Sequence, residues 1–130
     1  MTPLRQTNST NCGQTCAAML LGITVKESEI LFGHDGITTK EEVLKVLDTK
    51  FPKCFANDFF GKIKYRNRDS TKWRVFLCLH QNPKNKEQKH WTICEDSVII
   101  DPAGRKESEI WPMVRHWIIY TKRLWENNGN

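Results

Sequence analysis

The chain has 130 residues, of which 38% are hydrophobic and 10% aromatic, and its formal net charge at pH 7 is +5. This composition is typical of a single globular domain and excludes a disordered chain. Basic and acidic residues are interspersed, which argues against nucleic acid as the main partner. The longest apolar run, at 17–23, is far too short for a bilayer span.

The five cysteines are odd in number, and no two of them form a close Cys-x-x-Cys pair. The first ten residues also lack the apolar segment of a signal peptide. Both features predict a cytoplasmic protein with reduced thiols. Cys16, Cys78 and Cys94 lie in apolar stretches, and we predict that these three are core residues.

The first fifty residues are predicted to be helical. A first helix follows Asn11, a good N-cap residue, and ends at Gly22, and a short helix covers 25–32. A third helix is preceded by Thr38 and Thr39, either of which could form a capping box with the glutamate three residues later. The N-terminal part of the domain is therefore expected to be a helical layer.

After Pro52 the pattern favours strands. The segment 73–79 is β-branched and aromatic, which predicts a buried strand. The stretch 81–89 is predicted to be a polar loop. The later predictions are two short strands at 90–94 and 97–101, a helix of a turn or two within 105–114 limited by Pro112, and a last strand at 116–125. Helices followed by an antiparallel sheet predict an α+β domain.

Cys12 is the cysteine best placed to act as a nucleophile. It falls in the first turn of the first predicted helix, where unpaired backbone N–H groups and the helix dipole stabilise a thiolate. Gly13 beside it would allow the backbone of a substrate to approach closely. A nucleophilic thiol also needs a base within hydrogen-bond reach and a group that orients the base.

His90 is the histidine with the most informative surroundings. It opens HWTICEDSVIIDP, which we interpret as a tight hairpin with Glu95 and Asp96 as its turn. In that register Cys94 pairs with Ser97 and His90 lies opposite Asp101, whose carboxylate could hold the imidazole tautomer. In a different register, Asp96 is the alternative acid.

These residues carry a resemblance to a known family. The pattern Q-x5-C-G-x-x-C-x-A-M-L, followed much later by HW and then by DP, resembles papain-like cysteine peptidases. Within that group it is similar to the bacteriocin-processing C39 peptidases and their stand-alone relatives, and GITTK at 36–40 also matches them. The resemblance implies one papain-like domain over 1–130, with N-terminal helices packed on an antiparallel sheet and no cofactor or metal.

The resemblance also implies roles for individual residues. The nucleophile of the family falls on Cys12, its base on His90, its orienting acid on Asp101, and the side chain that helps to hold the oxyanion on Gln6. Trp91, next to His90, is predicted to form a wall of the substrate cleft. Many C39 peptidases have proline where this chain has Gln14, and we expect that difference to have little effect on the chemistry.

The leading hypothesis is therefore a cysteine peptidase that cleaves a peptide or isopeptide bond in a peptide or protein substrate through an acyl-enzyme. The same residues could instead transfer the acyl group to an amine, or the fold could serve a catalytically silent binding or inhibitor protein. Two weaker alternatives are a nucleic-acid site at 62–68, KIKYRNR, and a zinc site formed by Cys12, Cys16 and two histidines.

Overall fold

The computed structural model describes residues 1–54, 58–63 and 74–121. The described N-terminal part contains three helices: α1 (Cys12–Leu21), α2 (Val25–Phe32) and α3 (Lys40–Asp48). The three predicted helices are thus confirmed, including the end of α1 at Gly22, whose φ of 70° is left-handed. Of the two capping boxes predicted for α3, the one between Thr39 and Glu42 forms. None of the helices in the described ranges is both long and apolar enough to cross a membrane.

The described C-terminal part is a five-stranded antiparallel sheet with the strand order β1-β5-β2-β3-β4. Its strands are β1 (Asp58–Phe60), β2 (Arg74–Asn82), β3 (Asn85–Glu95), β4 (Val98–Ile100) and β5 (Met113–Thr121). A single 3₁₀ turn, Glu107–Glu109, lies between β4 and β5. The predicted α+β class, with helices first and an antiparallel sheet second, is confirmed.

The predicted polar loop at 81–89 was wrong. Strand β2 continues to Asn82, which pairs with Asn85 at the start of β3, and only two residues form the turn between them. Residues 83–89 are exposed to solvent. A strand segment without a buried face has no apolar alternation, which is why the sequence pattern concealed it. The helix predicted within 105–114 is also reduced to the single 3₁₀ turn, and residues 122–125 of the predicted last strand lie outside the described ranges.

The hairpin register predicted for β3 and β4 was also wrong. Glu95 pairs with Val98 and Cys94 with Ile99, so the turn residues are Asp96 and Ser97. Both turn residues have left-handed φ values, 50° and 68°. This is the backbone of a two-residue hairpin turn whose twist matches that of its strands, formed here without a glycine.

Both faces of the central strands are buried. Alternate residues of β2, among them Leu77, face a core shared with Leu20 of α1, Leu47 of α3 and Trp117 of β5. The residues between them face a second, smaller cluster on the other side of the sheet, which contains Ile63, Phe76, Cys78 and Cys94. Helix α1 also packs against β3, so the helical layer covers the part of the sheet from which the site is built.

Candidate active site

All five cysteines are buried thiols. The core positions predicted for Cys16, Cys78 and Cys94 are confirmed, and burial raises the pKa of the Cys16 and Cys78 thiols well above their ordinary value. Cys12 differs because it lines a cavity of about 770 Å³, although only 8% of its surface is exposed. It is therefore a thiol that a small molecule can reach from solvent.

Asn11 precedes α1, but its side chain does not cap the helix as predicted. Its Oδ1 instead accepts from the N–H groups of Thr7 and Asn8, both at 3.2 Å, and its Nδ2 donates to Glu29 Oε1 at 3.1 Å. Asn11 thus holds the loop that leads into α1. The first turn of α1, where Cys12 lies, keeps no side-chain cap and contains no acidic residue, and this arrangement favours an anion.

His90 contacts both of the other side chains that the sequence singled out. Its Nε2 forms a short hydrogen bond with Asp101 Oδ1, and the Cys12 side chain lies close enough to the ring to affect its pKa. Since Nε2 faces Asp101, Nδ1 is the ring nitrogen left for the thiol. Only 5% of His90 and 7% of Asp101 are exposed, so these contacts are shielded from water. The structure therefore brings Cys12, His90 and Asp101 together.

The pKa of His90 shows that its surroundings favour the charged ring. Burial alone would lower this pKa, but the electrostatic and hydrogen-bonding interactions with Asp101 and Cys12 raise it to about 9. The imidazole is therefore protonated at neutral pH. A positive charge beside Cys12 stabilises a thiolate there.

Asp101 is oriented by the backbone that follows it. Its Oδ1 accepts from the N–H of Ala103 and its Oδ2 from the N–H of Arg105, both at 3.0 Å. Burial opposes the charge of this carboxylate, but the bond to His90 and the two N–H groups lower its pKa below the ordinary value. A carboxylate fixed in this way holds its partner histidine in one orientation and one tautomer.

The contact between His90 and Asp101 does not come from the predicted hairpin register. Strand β4 ends at Ile100, so Asp101 has left the ladder, and the chain turns at Pro102 and Ala103. His90 and Asp101 were therefore paired correctly from the sequence, although the register from which the pair was derived was wrong. Asp96, the alternative acid, lies exposed in the hairpin turn, and Asp101 is the acid that touches His90.

Gln6 lies at the wall of the same cavity. Its backbone N–H donates to Pro102 O at 2.9 Å, which joins the segment before α1 to the turn after Asp101. Its Nε2 donates to Asn8 O at 2.8 Å, and its Oε1 is buried without a hydrogen-bond partner among the described residues. An amide nitrogen carries two N–H donors, so Nε2 has one left for a ligand.

The two predicted substrate-binding positions differ in their surroundings. Trp91 is buried, lines the cavity, and packs against Trp117 with ring centroids 5.7 Å apart. A Cβ added at Gly13 would lie 2.2 Å from Thr38 Oγ1, so Thr38 takes up the space beside this glycine. The small size of Gly13 therefore allows close packing of α1 on the segment before α3, and its predicted contact with a substrate gains no support.

Two residues near the site were not predicted to belong to it. Thr38 lines the cavity, and its hydroxyl is buried without a hydrogen-bond partner among the described residues. Gln14 is fully buried, and its Nε2 donates to His34 O at 3.0 Å and to Gly36 O at 2.9 Å. Gln14 thus ties α1 to the start of GITTK, a structural role more specific than the one expected for it. Neither position has a periodic signal, although Thr38 falls within the motif that matched the family.

The described residues give little support to the zinc site and the nucleic-acid site. Within 1–54, 58–63 and 74–121 there is no group of three or more histidine, cysteine, aspartate or glutamate side chains that could hold a metal ion. His80 donates from Nδ1 to Trp111 O at 2.8 Å and contacts Thr92, and burial lowers its pKa. Most of the basic stretch 62–68 lies outside the described residues.

No protein-family model matches the chain, and no curated protein matches its sequence. The resemblance to papain-like peptidases therefore stays a prediction.

Proposed function

We propose that this chain is a cysteine-dependent hydrolase that cleaves a peptide or isopeptide bond, built as a papain-like peptidase of the C39-like type. One observation carries the proposal. His90 is hydrogen-bonded to the Asp101 carboxylate and interacts with the Cys12 side chain, at the wall of a cavity open to solvent. A nucleophile, a base and a group that orients the base are thereby within contact of one another.

The first half of the proposed reaction forms an acyl-enzyme. In the resting site the proton of Cys12 lies on His90, and the helix N-terminus and the imidazolium stabilise the thiolate. The sulfur attacks the carbonyl carbon of the scissile amide, and His90 then gives its proton to the leaving amine as the C–N bond breaks. The products are a thioester on Cys12 and a free amine.

In the second half, His90 removes a proton from a water molecule that attacks the thioester carbon. The C–S bond breaks, the carboxylic acid leaves, and His90 keeps the proton, which restores the thiolate and the imidazolium. Asp101 stays ionised throughout and stabilises the imidazolium, which agrees with its lowered pKa.

The oxyanion formed in both halves needs donors at the same place. The backbone N–H of Cys12, at the start of α1, and the side-chain amide of Gln6 at the cavity wall are the groups that we assign to it. In acyl-transfer enzymes, loss of one such donor lowers the rate about 10²- to 10³-fold. A Gln6→Ala variant should lose a similar factor, while its thiol stays reactive towards iodoacetamide, which passes through no oxyanion.

The proposal is tested by the cleavage of a peptide library. A chymotryptic digest of a whole proteome is incubated with the wild type, with Cys12→Ala and with Cys16→Ala, and new termini are identified by mass spectrometry. Cleavage by the wild type and by Cys16→Ala, and none by Cys12→Ala, is the expected result. Equal product formation by the wild type and Cys12→Ala would contradict the proposal.

The acceptor of the acyl group is resolved in the same experiment. A primary amine such as glycinamide is added to a second set of reactions. A hydrolase releases free carboxylates in its presence, whereas an acyl transferase releases glycinamide adducts from the same cleavage sites. If glycinamide adducts form and free carboxylates do not, the function is acyl transfer to an amine and not hydrolysis.

A further inference from the structure

The cavity beside Cys12 and His90 is lined by an excess of basic side chains. Lys86 and Lys89 of β3 contribute to it from one side, and Arg105 contributes from the segment that follows Asp101. All three residues are exposed. They line the same cavity as the thiol, and a substrate that reaches Cys12 passes through this cavity.

The charges of these three residues are not compensated within the described part of the chain. No salt bridge joins Lys86, Lys89 or Arg105 to any carboxylate in the described ranges. A fourth basic residue at the cavity, Lys40, lies 3.9 Å from Glu41, which also lines it. Glu87 is then the remaining acidic residue among those that line the cavity, against three cations.

The edge of strand β3 beside these cations indicates what kind of ligand could lie there. Strand β4 pairs only with Ile93, Cys94 and Glu95 of β3, so the same side of β3 at 86–91 has no neighbouring strand among the described residues. A strand edge of this kind can bind an extended peptide through backbone hydrogen bonds. A peptide that lies along this edge towards His90 passes Lys86 and Lys89.

Arg105 is held in a defined place at the other side of the cavity. Its guanidinium carbon lies 5.9 Å from the centre of the Trp111 ring, and its backbone N–H donates to Asp101. The cation is therefore positioned by the same turn that positions the acid of the site. An aromatic face leaves the guanidinium N–H groups available for a carboxylate of a ligand.

We propose that the substrate is an acidic peptide, whose carboxylates close to the scissile bond bind Lys86, Lys89 and Arg105. The inference rests on the proposed function and names the substrate class of that site. Two sources of carboxylate fit these cations, namely aspartate and glutamate side chains or the free C-terminus of a chain.

The charge at the site can be measured without knowledge of the substrate. Iodoacetate and iodoacetamide alkylate the same sulfur, and only iodoacetate carries a negative charge. The rate with iodoacetate is divided by the rate with iodoacetamide, first for Cys12 and then for a free thiol. The ratio on Cys12 divided by the ratio on the free thiol reports the local electrostatic potential. His90 contributes to this ratio in every variant, and the effect of the lysines is isolated by Lys86→Gln/Lys89→Gln. The matched control is Lys26→Gln/Lys45→Gln, on exposed positions of α2 and α3 that do not line the cavity.

At low ionic strength we expect the normalised ratio to fall about threefold to tenfold in Lys86→Gln/Lys89→Gln and to stay at the wild-type value in the control. The difference should shrink in 0.5 M sodium chloride, because salt screens charges at exposed positions. An unchanged ratio in Lys86→Gln/Lys89→Gln would overturn the inference. Failure of the proposed function is distinguished by iodoacetamide alone, whose rate on Cys12 would then be unaffected by His90→Ala.

The peptide library separates the two carboxylate sources. Enrichment of aspartate and glutamate within three residues of the cleavage sites, and its loss in Lys86→Gln/Lys89→Gln, supports acidic side chains. Cleavage confined to the last residues of peptides, and abolished when their C-termini are amidated, supports the terminal carboxylate. Enrichment of lysine and arginine around the cleavage sites would overturn the inference.

Discussion

At the scale of single residues, His90 is the group on which the chemistry of the site depends. Its ring is hydrogen-bonded to a carboxylate and interacts with a thiol, and both groups favour its charged form. The charge of the ring stabilises the folded state fully below the ordinary histidine pKa of 6.5. That stabilisation is lost as the pH rises through about 9.

The titration of His90 gives the prediction at this scale. In the wild type the imidazole should titrate with a midpoint of about 9. Asp101→Asn should lower that midpoint by about one unit or more, because the amide keeps a hydrogen-bond acceptor and loses the negative charge. The midpoints are measured from the pH dependence of the imidazole nitrogen chemical shifts by NMR.

Asp96→Asn is the matched control for this titration. It removes the same charge from the exposed hairpin turn, where asparagine also tolerates the left-handed backbone, and it should leave the midpoint of His90 unchanged. If the two variants shift His90 equally, Asp101 has no specific effect on the ring.

At the scale of elements, the position of Cys12 depends on the contact of α1 with the segment before α3. Gly13 and Thr38 form that contact, and a methyl group at Gly13 would lie 2.2 Å from Thr38 Oγ1. The next nearest atoms, Cβ and Cγ2 of Thr38, are 3.2 Å from the same position. The helix that carries the thiol is therefore fixed by close packing.

Gly13→Ala should lower the free energy of unfolding by about 1–3 kcal/mol, because it overpacks this contact. Thr38→Ala removes the nearest atom, so the double variant should recover most of the loss. Urea denaturation of the wild type, both single variants and the double variant measures the coupling. If Gly13→Ala lowers the free energy of unfolding as much in the presence of Thr38→Ala as in the wild type, the two residues are not in close contact.

The elements differ in how far the sequence could predict them. The helices were predictable because capping threonines and a terminal glycine are local signals, and both act through backbone groups of their own helix. The first half of β3 could not be predicted, because exposed residues at 85–89 leave no alternating pattern. The turn at Asp96 and Ser97 has no glycine to mark its left-handed backbone. The predicted turn was therefore displaced by one residue, and Cys94 was paired with Ser97 instead of Ile99.

The site itself was partly predictable. Cys12 and His90 could be chosen from local surroundings, a helix start and a histidine followed by acidic residues. Other contacts of the site could not be predicted, because they depend on turns that only the folded chain forms. They are the hydrogen bonds from the N–H groups of Ala103 and Arg105 to Asp101, and those from Gln14 to His34 O and Gly36 O.

At the scale of the whole molecule, the site lies where the helical layer meets the sheet. Cys12 comes from the start of α1, His90 from β3 and Asp101 from the turn after β4. The helix and the strand that carry Cys12 and His90 pack in the main core, and Asp101 directly follows a strand of the same sheet. The arrangement needs the folded domain, so the reactivity of Cys12 should fall to that of a free thiol when the protein is unfolded.

The reactivity of Cys12 tests the account most directly. The rate constants for alkylation of all five cysteines by iodoacetamide at pH 7 are measured by mass spectrometry in the wild type, His90→Ala and His34→Ala. His34 is half-buried and contacts Glu42, so its removal is a control for the loss of a histidine. Circular dichroism establishes that each variant is folded.

We predict that Cys12 reacts faster than a free thiol in the wild type and in His34→Ala, and that His90→Ala slows it about 10²-fold or more. If Cys12 reacts no faster than the four core cysteines, or at the same rate with and without His90, the site is not an activated thiol and the proposed hydrolase function is wrong.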